Sequence, residues 1–128
     1  MTAGRTPPGE THASYANFAN LRVADIEAAK SFYTDYLGLS NEEFNMGWVA
    51  RYASADAKVK VQLVTRDATA HEDSVISVCT DDIDSAYAEA RELGYEIVHP
   101  LTTERWGLRR FFVRAPDGNL INITNHRD

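Results

Sequence analysis

Residues 25–38, DIEAAKSFYTDYLG, and residues 82–94, DIDSAYAEARELG, are one pattern written twice. Each opens on an Asp where a helix N-cap belongs, its carboxylate able to accept from the free backbone N–H groups of the first turn. Ile26, Ala29, Phe32, Tyr33, Tyr36 and Leu37 then recur at helical spacing, as do Ile83, Ala86, Tyr87, Ala90 and Leu93 in the second copy. Leu37-Gly38 and Leu93-Gly94 close the two helices, glycine being the residue that ends a helix most readily. Matched starts and stops mark an internal repeat, and the rest of the chain organises around it.

Working outward, residues 14–23 (SYANFANLRV) place Ala19, Leu21 and Val23 out of phase with Phe18, Asn20 and Arg22, which is the period of a strand. After the first helix, 42–45 is a weak segment, 47–54 (GWVARYAS) reads as a strand, and Val59, Val61 and Leu63 alternate through another. A polar connector, 66–73, separates this from the second copy. There a strand at 74–80 precedes the helix, 95–98 forms a short strand, and 100–104 is a loop. Strands at 108–114 and 119–125 are joined by Ala115-Pro116-Asp117-Gly118, a strong turn signal. The spacing predicts a flexible leader at 1–13 and a single domain over 14–125, comprising module one (14–65), the connector (66–73) and module two (74–125). A short tail follows at 126–128. Neither half, at about 55 residues, buries enough surface to stand alone, so the halves are expected to pack together. The helices should cover Leu21, Val23, Val61, Leu63, Ile76, Val78, Ile121 and Ile123, leaving the opposite sheet face as a shared concave surface.

Composition excludes several classes. The 128 residues include 44% hydrophobic and 25% charged, the mix of an ordinary globular domain. A single cysteine, Cys79, rules out a disulfide framework and any multi-cysteine metal site, and it fits a reducing, cytoplasmic setting. No apolar run approaches the roughly 20 residues that span a bilayer, so no membrane partner is expected. With 13 Lys and Arg against 19 Asp and Glu the net charge is −6, which repels phosphate backbones and argues against nucleic acid.

Phe18-x-x-Leu21-Arg22-Val23-x-Asp25-Ile26-x-x-Ala29-x-x-Phe32-Tyr33, followed by Leu37-Gly38, resembles the opening module of the vicinal-oxygen-chelate superfamily. That group includes glyoxalases, extradiol dioxygenases and bleomycin-resistance proteins. Val75-Ile76-Ser77-Val78 with Asp81-Asp82-Ile83 resembles the second module's opening, and Trp106-Gly107-x-Arg109-Arg110-Phe111-Phe112-Val113 with Pro116-Asp117-Gly118-Asn119 its closing hairpin. The resemblance implies an α+β fold of two βαβββ modules in tandem, forming curved mixed sheets around a cavity, and commonly a homodimer. It also implies four His or Glu metal ligands, on the first and last strands of each module. Those positions fall here on Phe18, Gln62, Val75 and Asn122. Phe and Val have no donor atom, and Gln and Asn offer a neutral carbonyl that binds divalent transition metals weakly. A metal-free member, without cofactor, is therefore expected.

Other candidates for ligand contact follow from strand phase and chemistry. Gln62 and Asn122 either bind a ligand or satisfy each other or an ordered water. Trp48 and Trp106 suit stacking on planar or cationic ligands, or line a core edge or dimer contact. Adjacent Arg109 and Arg110 point to opposite faces, so at most one reaches the cavity; Arg109 is the expected ligand contact, against a surface salt bridge. Asn20 and Ser77 share the cavity phase. His12, His71, His99 and His126 lie in leader, connectors or tail and form no metal site. The expected function is binding of a small, aromatic or antibiotic-like molecule without catalysis; the alternative is a lyase, isomerase or dioxygenase of the same fold with an atypical or absent metal site.

Overall fold

The computed structural model describes residues 14–125, so the expected leader and tail lie outside the described residues. Strand–helix–three strands occurs twice, giving the mixed α+β architecture of two βαβββ modules. The first run is β1 (Ser14–Arg22), α1 (Ile26–Ser31), β2 (Asn41–Asn45), β3 (Val49–Ala53) and β4 (Lys60–Val64). The second is β5 (Ile76–Thr80), α2 (Ile83–Glu92), β6 (Glu96–Thr103), β7 (Arg109–Arg114) and β8 (Leu120–Asn125). The chain divides into two compact units, Phe18–Ile76 and a second that runs from Ser77 and takes in the start of β1. No described helix is long and apolar enough to cross a membrane.

In the first unit the strand order is β2-β3-β4-β1, with β1 parallel to β4 and the other pairs antiparallel. Asp25 caps α1 by accepting from the backbone N–H groups of Glu27 (2.9 Å) and Ala28 (3.4 Å), a contact of about 1 kcal/mol. Ile26 drops into a core of Leu39, Ala50, Tyr52 and Leu63, with Leu21, Val23, Ala29, Tyr33 and Val61 around it. Tyr52 is buried there, and its hydroxyl donates to Glu42 Oε1 at 2.7 Å. Burial and that acceptor push the phenol above its usual range, and the same bond holds the Glu42 carboxyl below its own.

In the second unit the order is β5-β8-β7-β6. Asp82 caps α2 by accepting from Ser85 N–H at 3.2 Å, and the helix lies against β6, β7 and β8. Ile83, Ala86, Ala90 and Phe111 form its core, with Tyr87, Ile97, Leu101, Val113 and Ile123 around them. The paired helix stops hold as well: Gly38 and Gly94 have φ of 77° and 80°, a conformation that side-chain-bearing residues avoid.

Three local expectations need correction. The first helix does not run regularly to Leu37; after Ser31 it widens into a π-helical turn, Phe32–Tyr36, closed by Leu37 N–H on Phe32 C=O at 3.0 Å. A 3.6-residue periodicity cannot register the inserted residue, and Tyr33 stays on the core side. The strand expected at 47–54 starts at Val49, because Gly47 (φ 89°) belongs to a turn in which its N–H bonds the Asn45 side chain. The loop expected at 100–104 is mostly strand. β6 carries Pro100 through its middle, with register shifts between Ile97 and His99 and between His99 and Thr102. Proline is tolerated because β6 is the last strand of its order and pairs on one side only.

Candidate functional site

In each unit the sheet face opposite the helix carries a row of polar and aromatic side chains. In Phe18–Ile76 the register sets Asn20 beside Gln62 and Gln62 beside Arg51, across three neighbouring strands. The row is fully connected. Arg51 Nε donates to Gln62 Oε1 at 3.1 Å, Gln62 Nε2 to Asn20 Oδ1 at 2.7 Å, and Asn20 Nδ2 to Ser74 Oγ at 3.0 Å. The Arg51 guanidinium lies over two rings, its Cζ 4.2 Å from the centre of Phe18 and 4.7 Å from that of Phe44. Glu43 stands 3.5 Å from Arg51 Nη1 and is shared with Lys60 Nζ at 3.0 Å. Phe18, Asn20 and Gln62, each expected on this face, are therefore brought together by a residue the sequence reading did not single out. Its signal was the phase of 49–53 (VARYA), where Arg51 alternates with the core residues Ala50 and Tyr52.

In the second unit Asn122 Nδ2 donates to Ser77 Oγ at 3.0 Å, and both side chains are buried. The other end of that amide, Oδ1, has no hydrogen-bond partner among the described residues, although the residue is only 8% exposed. Exchanging the amide's oxygen and nitrogen does not cure this: Ser77 would then donate to the oxygen, and the NH₂ would be the orphan. Directly across from Asn122 is Phe112, fully buried, with Arg110 two residues away opposite Thr124.

Arg110 is 5% exposed and held by a buried carboxylate, its Nε donating to Glu104 Oε2 at 2.7 Å. His99 Nε2 lies 2.9 Å from the same oxygen, and an ionised carboxylate there requires the ring proton on Nε2. The Arg110 guanidinium also faces two rings, 4.8 Å from Phe112 and 5.3 Å from Trp106. Trp106 is thus drawn into this group, and Arg110, Glu104 and His99 are its unforeseen members.

Arg109, the arginine expected to meet ligand, is not among them. Phe111 pairs with Ile123 on the α2 side, so Arg109 lies in that phase. Its guanidinium forks onto Asp84 in the first turn of α2, at 3.1 and 2.8 Å. Hydrogen bonding from Arg109 holds the Asp84 carboxyl below its ordinary value and raises the guanidinium's. Val75 precedes β5 and is 49% exposed, its carbonyl accepting from Asn20 N–H at 2.9 Å. Trp48 belongs to the turn before β3, where its carbonyl accepts from Thr65 N–H at 2.9 Å.

The family model for the Glyoxalase/Bleomycin resistance protein/Dioxygenase superfamily matches residues 15–123. The chain belongs to that superfamily. Among solved structures it is similar to a superfamily member from Vibrio splendidus 12B01 (20% identity, TM-score 0.66, covering 89% of this chain and 100% of that one). An uncharacterised protein from Methanosarcina mazei is similar at 21% identity and a TM-score of 0.65, over 90% of this chain and 94% of the other. A protein described as an NAD-dependent benzaldehyde dehydrogenase from Legionella pneumophila reaches a TM-score of 0.68 at 14% identity, over 88% and 100%. Likeness at these identities is likeness of fold alone. No curated protein matches the chain.

The superfamily implies a metal at positions that fall here on Phe18, Gln62, Val75 and Asn122, and the side chains do not fit one. Gln62 turns its carbonyl oxygen to a guanidinium, and the Phe18 ring is covered by the same cation. Val75 has no donor atom, and Asn122 offers only a neutral amide oxygen, a weak ligand for a divalent transition metal beside imidazole or carboxylate. Among the described residues no group of three or more His, Cys, Asp or Glu side chains is placed to hold an ion.

Proposed function

We propose that this superfamily member binds a small, planar, aromatic or antibiotic-like molecule without a metal and without transforming it. The observation that carries the reading is Asn122 Oδ1, a buried acceptor that the described residues leave unmatched. Such an atom costs about 1–3 kcal/mol until a donor reaches it, and a ligand N–H or O–H supplies that donor. Trp106, near Arg110 and only partly buried, adds the aromatic surface that planar ligands stack on. The homodimer implied by the resemblance and the cytoplasmic setting expected from the single cysteine belong to the same proposal.

The test is tryptophan fluorescence quenching against a panel of planar phenols, amides and nitrogen heterocycles. Asn122→Ala is expected to weaken the best ligand at least tenfold, about 1.4 kcal/mol, with the fold intact by circular dichroism. Gln62→Ala, whose amide is satisfied within the chain, should stay within about twofold. Equal affinity in wild type and Asn122→Ala would mean that the amide holds only an ordered water.

A second reading, catalysis, is favoured by one contact, that of His99 with Glu104. A carboxylate that orients an imidazole is a common general-base arrangement. Turnover of a panel ligand by wild type that is lost in His99→Asn would establish it.

A further inference from the structure

The two first-half positions that the family resemblance assigns to metal ligands, Phe18 and Gln62, both touch a single group. Gln62 Oε1 accepts from Arg51 Nε at 3.1 Å, and the Phe18 ring centre lies 4.2 Å from Arg51 Cζ. We infer that Arg51 is a built-in replacement for the metal: a fixed monovalent cation gripped by the side chains that would otherwise hold a divalent one. The inference rests on the metal-free reading above and adds what stands in the ion's stead and which ligand groups that half accepts.

Both contacts are cation contacts. An aromatic face attracts a guanidinium through its quadrupole, and an amide oxygen makes a charge-assisted hydrogen bond to it. The amide's orientation is fixed by the row behind it, since Gln62 Nε2 donates to Asn20 Oδ1 and Asn20 Nδ2 donates to Ser74 Oγ. Reversing Gln62 would set its NH₂ against the guanidinium, donor on donor. Among the described residues, Arg51 and Lys60 bring two cations to this row and Glu43 brings a carboxylate. A further cation entering this row meets like charge, so it refuses divalent metals and ammonium groups. Neutral or anionic oxygen-bearing groups are the class it accepts.

A carboxylate introduced at Gln62 tests this directly, because Ser74 and Asn20 can reverse their hydrogen bonds to donate toward it. In the full chain Gln62→Glu should raise the melting temperature by about 3 °C. The gain should shrink in 1 M salt, and it should turn into a loss when Arg51→Met is added. Nickel titration supplies the second arm. Phe18→His/Gln62→Glu should bind nickel at least tenfold more tightly once Arg51→Met removes the guanidinium. Equal melting shifts for Gln62→Glu with and without Arg51, or nickel affinity indifferent to Arg51, would overturn the inference. If the triple variant does not fold, the salt-dependent shift of Gln62→Glu alone decides, and no stabilisation counts against it. The Asn122 titration probes the other half, so either result can fail without the other.

Discussion

The two modules place an arginine on equivalent strands, Arg51 on β3 and Arg110 on β7, each turned away from its helix and each set against two aromatic rings. They place an amide on the equivalent last strands, Gln62 and Asn122. What differs is an offset of two residues. Arg51 stands directly across from Gln62, so guanidinium and amide satisfy one another. In the second module Phe112 takes that place, Arg110 stands opposite Thr124, and the guanidinium turns to Glu104. The Asn122 oxygen is left over as a result. Repetition of a fold thus yields one row closed upon itself and one with an acceptor to give. A shift of pairing, rather than any new chemistry, separates them.

That contrast can be broken most severely at the arginines. Arg110→Met takes the guanidinium from the buried Glu104 carboxylate, which keeps His99, and should cost about 3–5 kcal/mol, whereas Arg51→Met, at a partly solvated site, should cost about 1–2 kcal/mol by orphaning the Gln62 oxygen. Urea unfolding of the two variants measures both, and equal losses would mean that Glu104 is not the buried partner it is taken for. The amides give the next largest effect. Ser77→Ala/Asn122→Leu removes both ends of a half-satisfied pair, so its melting temperature should match or exceed wild type while ligand binding disappears. The smallest effect belongs to the exposed Arg109–Asp84 fork. The Asp84 carboxyl is depressed from 3.8 by its bond to Arg109, so the contribution is present above the unfolded value and fades as pH falls through the folded one. Asp84→Asn should therefore flatten the drop in melting temperature between about pH 5 and pH 3, with little change at pH 7.

Most of the architecture was legible because it rests on local chemistry. Asp25 and Asp82 cap their helices, Gly38 and Gly94 end them, and period-two alternation set Phe18 and Gln62 on one face. Pairing between strands was less legible. Strand phase showed that Arg109 and Arg110 part company, but which one joins Asn122 follows only from the pairing of Phe112 with Asn122 and Phe111 with Ile123. His99 and Glu104 were hidden for a related reason. They lie on and just beyond a strand whose two register shifts and internal Pro100 erase the alternation that would have marked their side. Arg51 was open to view in its strand, yet its meaning depends on partners from β1, β2 and β4.

The irregular β6 has a consequence for the protein in concentrated solution. As the last strand of its order it leaves one side of its backbone without a neighbouring strand among the described residues. A straight border of that kind recruits strands from other molecules and seeds fibrils. Pro100 removes one N–H from the ladder, and the two kinks around His99 spoil the spacing that an incoming chain would have to match. The last strand of the other unit, β2, uses charge instead, with Glu42 and Glu43 in its middle. Each border is thereby guarded against aggregation by a different device.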